Sequence, residues 1–176
     1  YEDQKEAIRF TVERVNKRVP VIAGTGTNNT DHVLHNTKNA CEVGADAVLV
    51  VTPYYNKTTQ AGLIKHFEAI CGSVSIPVIL YNVPGRTGMN INPETLEKLC
   101  KIPNVNAIKE CNLNQVSDVK AICGDELNIY SGEDGQVSMM MGAGACGVIS
   151  VVSNVYPKVM HDIVAKYLAG DVAGSW

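Results

Sequence analysis

A parallel α/β fold, and within it a partial (β/α)8 TIM barrel of about six βα units, is predicted by two features of this 176-residue chain. Short β-rich apolar runs alternate with longer helical patterns at intervals of about 20 to 30 residues, the rhythm of parallel βα units. Nearly every run also ends in polar residues: Thr25, Tyr54 with Tyr55, Tyr81, Lys109, Ser131 and Ser150. A doubly wound sheet fits the alternation as well, but it concentrates its chemistry at one switch point. A barrel builds its site from the C-terminal ends of several strands, so the distributed polar ends favour the barrel.

The elements follow in order. The chain opens in an amphipathic helical pattern, Glu2 to Val19, and its first strand is Val19–Gly24. A helix over Asn29–Val43 leads to Ala47–Thr52, an unbroken apolar run suited to burial on both faces. Thr58, Thr59 and Gln60 signal the start of a helix over Thr59–Ser73. Pro77–Asn82 is the third strand, and Asn92 with Pro93 in the first turn opens a helix over Pro93–Cys100. The strands Val105–Lys109, Leu127–Ser131 and Gly147–Val151 then alternate with helices over Gln115–Ile122 and Gly135–Met141. A closed barrel needs eight units and usually about 250 residues. The expectation is one partial-barrel domain, residues 1–176, with open sheet edges that another stretch of chain must cover.

Bulk properties narrow the function. The net charge of −3, with Lys and Arg scattered, argues against a nucleic-acid footprint. No apolar run reaches the length of a membrane span, and the start resembles no signal peptide. The six cysteines form no CxxC and most lie in apolar segments, which points to reduced thiols in a cytoplasmic protein.

The chemistry concentrates in two strand ends, PVILYNVPGRTG (Pro77 to Gly88) and VNAIKE (Val105 to Glu110). A lysine closing a buried strand is uncommon, because desolvation penalises its ammonium form and favours a neutral amine able to attack a carbonyl. On its own, Lys109 also fits a side chain snorkelling at a strand end. Tyr81, one strand away, offers a phenol to move the protons of Schiff-base formation. Arg86 can fork two hydrogen bonds to a carboxylate.

These residues, together with VPVIAGTG (Val19 to Gly26), VTPYYNK (Val51 to Lys57), YSGED (Tyr130 to Asp134) and GVISV (Gly147 to Val151), resemble the dihydrodipicolinate synthases. The motifs stand in that family's order over essentially the whole chain, and YNVPGRTG followed by IKE is the specific part. The resemblance implies condensation of pyruvate with aspartate semialdehyde through a Lys109 Schiff base, with Tyr81 as proton donor and acceptor and no metal or organic cofactor. It implies that Arg86 holds the aldehyde substrate's carboxylate, which related lyases acting on sugar acids usually cannot match. Tyr55 matches the tyrosine inserted into a neighbouring subunit's site, implying a homo-oligomer, a dimer or a tetramer. Ile149 and Gly132 match backbone contacts to the substrates. Tyr54 and Asn28 match positions of a lysine feedback site, where His32 replaces an acidic residue and implies weak or absent lysine inhibition. By comparison with the family, the first two barrel strands, the GTTGE-type threonine of the relay and the C-terminal helices are absent. The alternatives are a pyruvate-dependent sugar-acid aldolase and a non-catalytic truncated relative.

Two motifs are set aside. Gly142, Gly144 and Gly147 match GxGxxG, but after a helix and before a strand, the reverse of the dinucleotide fingerprint. Asp31, His32 and His35 lack a third well-placed metal ligand and read as a solvated helix face.

Overall fold

The computed structural model describes residues 2–176. Its six strands are β1 (Ile22–Gly24), β2 (Ala47–Val51), β3 (Val78–Asn82), β4 (Val105–Glu110), β5 (Asn128–Ser131) and β6 (Gly147–Val148). They form one parallel sheet in the order β1-β2-β3-β4-β5-β6, so every crossover joins adjacent strands. The helices are α1 (Glu2–Val15), α2 (Thr30–Glu42), α3 (Gln60–Cys71), α4 (Pro84–Thr87), α5 (Pro93–Leu99), α6 (Val116–Cys123), α7 (Val137–Gly142) and α8 (Pro157–Leu168).

Strand residues alternate between two environments, as the two-residue period requires. Val48, Val50, Val78, Leu80, Ile108 and Ile129 join the main core, where they meet Val33, Leu63, Phe67 and Leu96 of the helices. On the opposite face Ala47, Ile79 and Ala107 form a small cluster edged by the partly buried Leu49, Tyr130 and Ile149. Strands apolar on both faces thus separate a densely packed helical side from a lightly packed inner side.

Several boundaries differ from expectation. The first helix stops at Val15 because Asn16 and Lys17 take positive φ values of 47° and 59°. The first strand starts at Ile22, since Pro20 has no N–H and the Val21 N–H is bound by the Asp46 carboxylate at 2.7 Å. The last strand is only two residues long, because the Val151 and Val152 N–H groups turn away to donate to Asp134 Oδ2, each at 3.1 Å. The expected element series holds no helix after Val151, yet α8 follows with Pro157 in its first turn. GxGxxG lies between α7 and β6, helix first.

Candidate active site

Parallel register places Tyr81 of β3 directly opposite Lys109 of β4, and the next residues, Asn82 and Glu110, opposite each other. Tyr81 and Lys109 alternate with Leu80 and Ile108, so they share the inner face with Ile79 and Ala107. The Lys109 Nζ lies 4.5 Å from the centre of the Tyr81 ring, and the lysine is only 7% exposed. Burial pushes the Tyr81 phenol above its ordinary pKa; Cys111 adds to the shift and the Arg86 guanidinium opposes it. An open cavity of 390 Å³ lies on the Tyr81 side of the pair, and Tyr54, Tyr81 and Arg86 line it. Arg86 is exposed on α4, the short turn held by the Arg86 N–H donating to the Val83 carbonyl at 2.9 Å.

The other expected residues divide. Gly132 lies against the lysine: a Cβ there would stand 3.1 Å from Lys109 Cε and 2.3 Å from Cys111 Sγ. Its N–H donates to the Glu110 carbonyl at 2.8 Å, fixing the loop over the end of β4. Ile149 packs against the inner cluster, and its N–H is taken by the Ser131 carbonyl at 2.9 Å. Tyr55 stands apart, 92% exposed at a positive φ of 68°, whereas its neighbour Tyr54 reaches the cavity. Asn28 accepts from the Asn56 side chain through its carbonyl at 2.9 Å, and His32 is exposed on α2, its N–H capped by Asn29. Two polar strand ends do not serve the site. Thr25 is fully buried against Thr37 of α2, and Ser131 donates to the carbonyl of Glu133.

Sequence reasoning missed Glu110, which is fully buried on the helical side immediately after the lysine. Its carboxylate accepts from Asn82 Nδ2 at 2.9 and 3.1 Å, from the Asn112 N–H at 2.7 Å and from Gln115 Nε2 at 2.8 Å. Burial raises its pKa to about 7 although these donors favour the anion. Cys111 was missed too; burial and the nearby Glu133 push its thiol up to about 12, so it stays a protonated neighbour of the site. The missed signal was the density of amides, Asn82, Asn90, Asn92, Asn112 and Gln115, around two strand ends.

A curled parallel βα sheet with a buried lysine and a tyrosine abreast at its C-terminal ends defines a partial (β/α)8 barrel. The profile of the Dihydrodipicolinate synthetase family matches residues 1–175, and the chain belongs to that family. The 4-hydroxy-tetrahydrodipicolinate synthase of Acetivibrio thermocellus is 56% identical over 174 residues, 99% of this chain and 60% of the relative. That of Clostridium novyi is 55% identical over 171 residues, 96% of this chain and 58% of the relative. The crystal structure of the Acinetobacter baumannii dihydrodipicolinate synthase complexed with pyruvate superposes with a TM-score of 0.95 at 41% identity, covering 99% of this chain and 60% of that one. The Aquifex aeolicus dihydrodipicolinate synthase gives 0.96 at 42% identity, again over 99% and 60%. The chain therefore spans about 60% of the length of these relatives.

Proposed function

We propose that this chain carries the Schiff-base half of a 4-hydroxy-tetrahydrodipicolinate synthase site, condensing pyruvate with L-aspartate 4-semialdehyde in lysine and diaminopimelate biosynthesis. The observation that carries this reading is the pairing of Tyr81 with the buried Lys109 across adjacent strand ends. Lys109, as a free amine, attacks C2 of pyruvate; the carbinolamine loses water to give the imine, and loss of a C3 proton gives the enamine. The enamine C3 then bonds to the aldehyde carbon, and the aldehyde oxygen takes up a proton. Tyr81, kept protonated by its raised pKa, is placed to pass protons at the carbonyl oxygen. Arg86, on the rim of the cavity, binds the semialdehyde carboxylate as a bidentate partner.

In this reading the Ile149 main chain touches pyruvate, the Gly132 main chain faces the second substrate, and residues 1–176 act as one partial-barrel domain. The exposed Tyr55 reaches into the site of a second copy, so the working protein is a cytoplasmic homodimer or homotetramer. The site of Tyr54, Asn28 and His32 responds weakly or not at all to lysine. Support comes from the family membership and from a structural neighbour solved with pyruvate.

The test is incubation of the protein with pyruvate and borohydride, followed by intact mass, with Lys109→Ala alongside. The expected result is a reduced pyruvate adduct on the parent and none on the variant. An adduct that persists in Lys109→Ala removes Lys109 as the nucleophile, and no adduct on a folded parent removes the Schiff-base reading.

A further inference from the structure

Glu110 lies next to the proposed nucleophile yet on the opposite, helical side of the sheet. We infer that Glu110 is a positioning residue: its buried carboxylate, through Asn82 and Gln115, holds the ends of β3 and β4 and the loop behind Arg86 in one fixed arrangement. This rests on the reading of Lys109 as the Schiff-base lysine.

The geometry is continuous. Asn82 and Glu110 are register partners one residue beyond Tyr81 and Lys109, so the two pairs report the same alignment on opposite faces of the sheet. Any slip that parts Tyr81 from Lys109 must also break the contacts of Asn82 Nδ2 with both Glu110 oxygens, at 2.9 and 3.1 Å. The same Asn82 fixes the segment after α4: its Nδ2 donates to Asn90 Oδ1 at 2.8 Å, and its Oδ1 accepts from the Ile91 N–H at 3.0 Å. Gln115 closes the ring, donating to Glu110 at 2.8 Å and to the Ile91 carbonyl at 3.1 Å while accepting from Asn90 Nδ2 at 2.8 Å. Arg86 begins four residues upstream of Asn90, so the arginine and the lysine–tyrosine pair hang from one network.

The choice of a carboxylate matters. Every neighbour within hydrogen-bonding reach of Glu110 presents a donor, and the ionised carboxylate, present above about pH 7, is the acceptor-only group that joins them. A buried charge is a poor source of stability compared with an apolar filling of the same volume. What it supplies here is a single permitted geometry, which reacting groups need and a fold alone does not.

The test uses the complete gene product as wild type, E110Q, N82D and N82D/E110Q. The rate of pyruvate adduct formation is followed by borohydride quench and mass, across pyruvate concentrations, with the folded fraction measured at the same pH. E110Q sets an amide N–H2 against three donors. It is expected to lower the saturating rate roughly 10- to 100-fold, with little change in the half-saturating pyruvate concentration and no matching loss of folded protein. N82D alone sets two carboxylates together and is expected to be at least as impaired. The double variant again faces a donor with an acceptor and is expected to regain activity several-fold over E110Q. The inference is overturned if E110Q reacts at the wild-type rate, if its loss only tracks unfolding, or if the double variant is no better than E110Q. A wild type that forms no adduct overturns the Schiff-base reading itself, and the positioning role with it.

Discussion

At the scale of single residues, Gly132 states its requirement most sharply. An added Cβ would meet Cys111 Sγ at 2.3 Å and the Lys109 stem at 3.1 and 3.2 Å. Lys109 is buried and packed over Tyr81, so its stem can give way only by moving the amine. Gly132→Ala should therefore slow pyruvate adduct formation by about tenfold or more. Cys111→Ala in the same chain removes the worse clash and should recover part of the loss. A Gly132→Ala variant that reacts like the parent would show that the lysine has room to spare. A second residue-scale prediction concerns pH. Burial raises the folded-state pKa of Glu110 to about 7 from an ordinary value of 4.5. The native state thus binds a proton that the unfolded chain releases between those values, and the associated stability, on the order of 3 kcal/mol, is lost as pH rises through 7. His66 does the opposite. Burial lowers it from 6.5 to about 4, so its contribution is present above 6.5 and is lost as pH falls toward 4. The two slopes oppose each other between about pH 4.5 and 6.5, and the wild type should be nearly flat there. E110Q should instead lose stability steadily on acidification from pH 6.5 to 5, read as a falling thermal midpoint. Parallel wild-type and E110Q profiles would contradict the buried ionisation.

At the scale of elements, the helix starts carry measurable weight. Thr59 caps α3, its hydroxyl accepting from the Gly62 N–H at 3.1 Å. The first helical residue, Gln60, accepts from the Asn92 N–H at 3.1 Å and from Thr95 Oγ1 at 2.7 Å, tying α3 to the start of α5. Thr59→Ala should cost about 1 kcal/mol in urea unfolding while leaving pyruvate adduct formation intact. A loss of adduct formation would mean that this helix end is coupled to the site. The alternation of apolar runs and helical patterns made the six parallel strands legible, because strands packed on both faces are almost wholly apolar. The pairing of Tyr81 with Lys109 was legible for the same reason, as polar side chains terminating adjacent apolar runs. Glu110 was not: an acidic residue at a strand end looks solvated until Asn82, 28 residues away, and Gln115 converge on it. The end of β6 was hidden because Asp134, a side chain from the turn after β5, takes the N–H groups that a longer strand would have used. The helix α8 did leave a trace, with Met160, Ile163, Val164 and Tyr167 at helical spacing behind Pro157. The β-branched run that precedes it masks that trace.

At the scale of the whole molecule, the two faces of the sheet are unequally finished, and this sets what the 176 residues can do alone. The helical face has a continuous core from Ala23 to Ala145. The inner face buries only Ala47, Ile79 and Ala107, with Leu49, Tyr130 and Ile149 partly open, whereas a closed barrel fills its interior with layers of side chains. Among the described residues β1 pairs only with β2, and β6 only with β5, leaving two strand edges able to accept further chain. Large apolar side chains are also exposed in the segment after β6, among them Val155 at 71%, Leu168 at 68% and Trp176 at 74%. The helical core gives the chain enough burial to form its secondary structure, while the inner face and edges favour association. Expressed by itself, the 176-residue chain should be helical by circular dichroism, bind a hydrophobic dye and elute larger than a monomer. The environment of Lys109 depends on that same inner face, since dry walls are what hold an amine and its substrate away from competing water. Pyruvate trapping by the 176 residues should therefore be slower than by an eight-stranded member of the family by about an order of magnitude or more. Equal rates would show that six strands are sufficient to build the pocket of the nucleophile, and that whatever closes the barrel serves the second substrate instead.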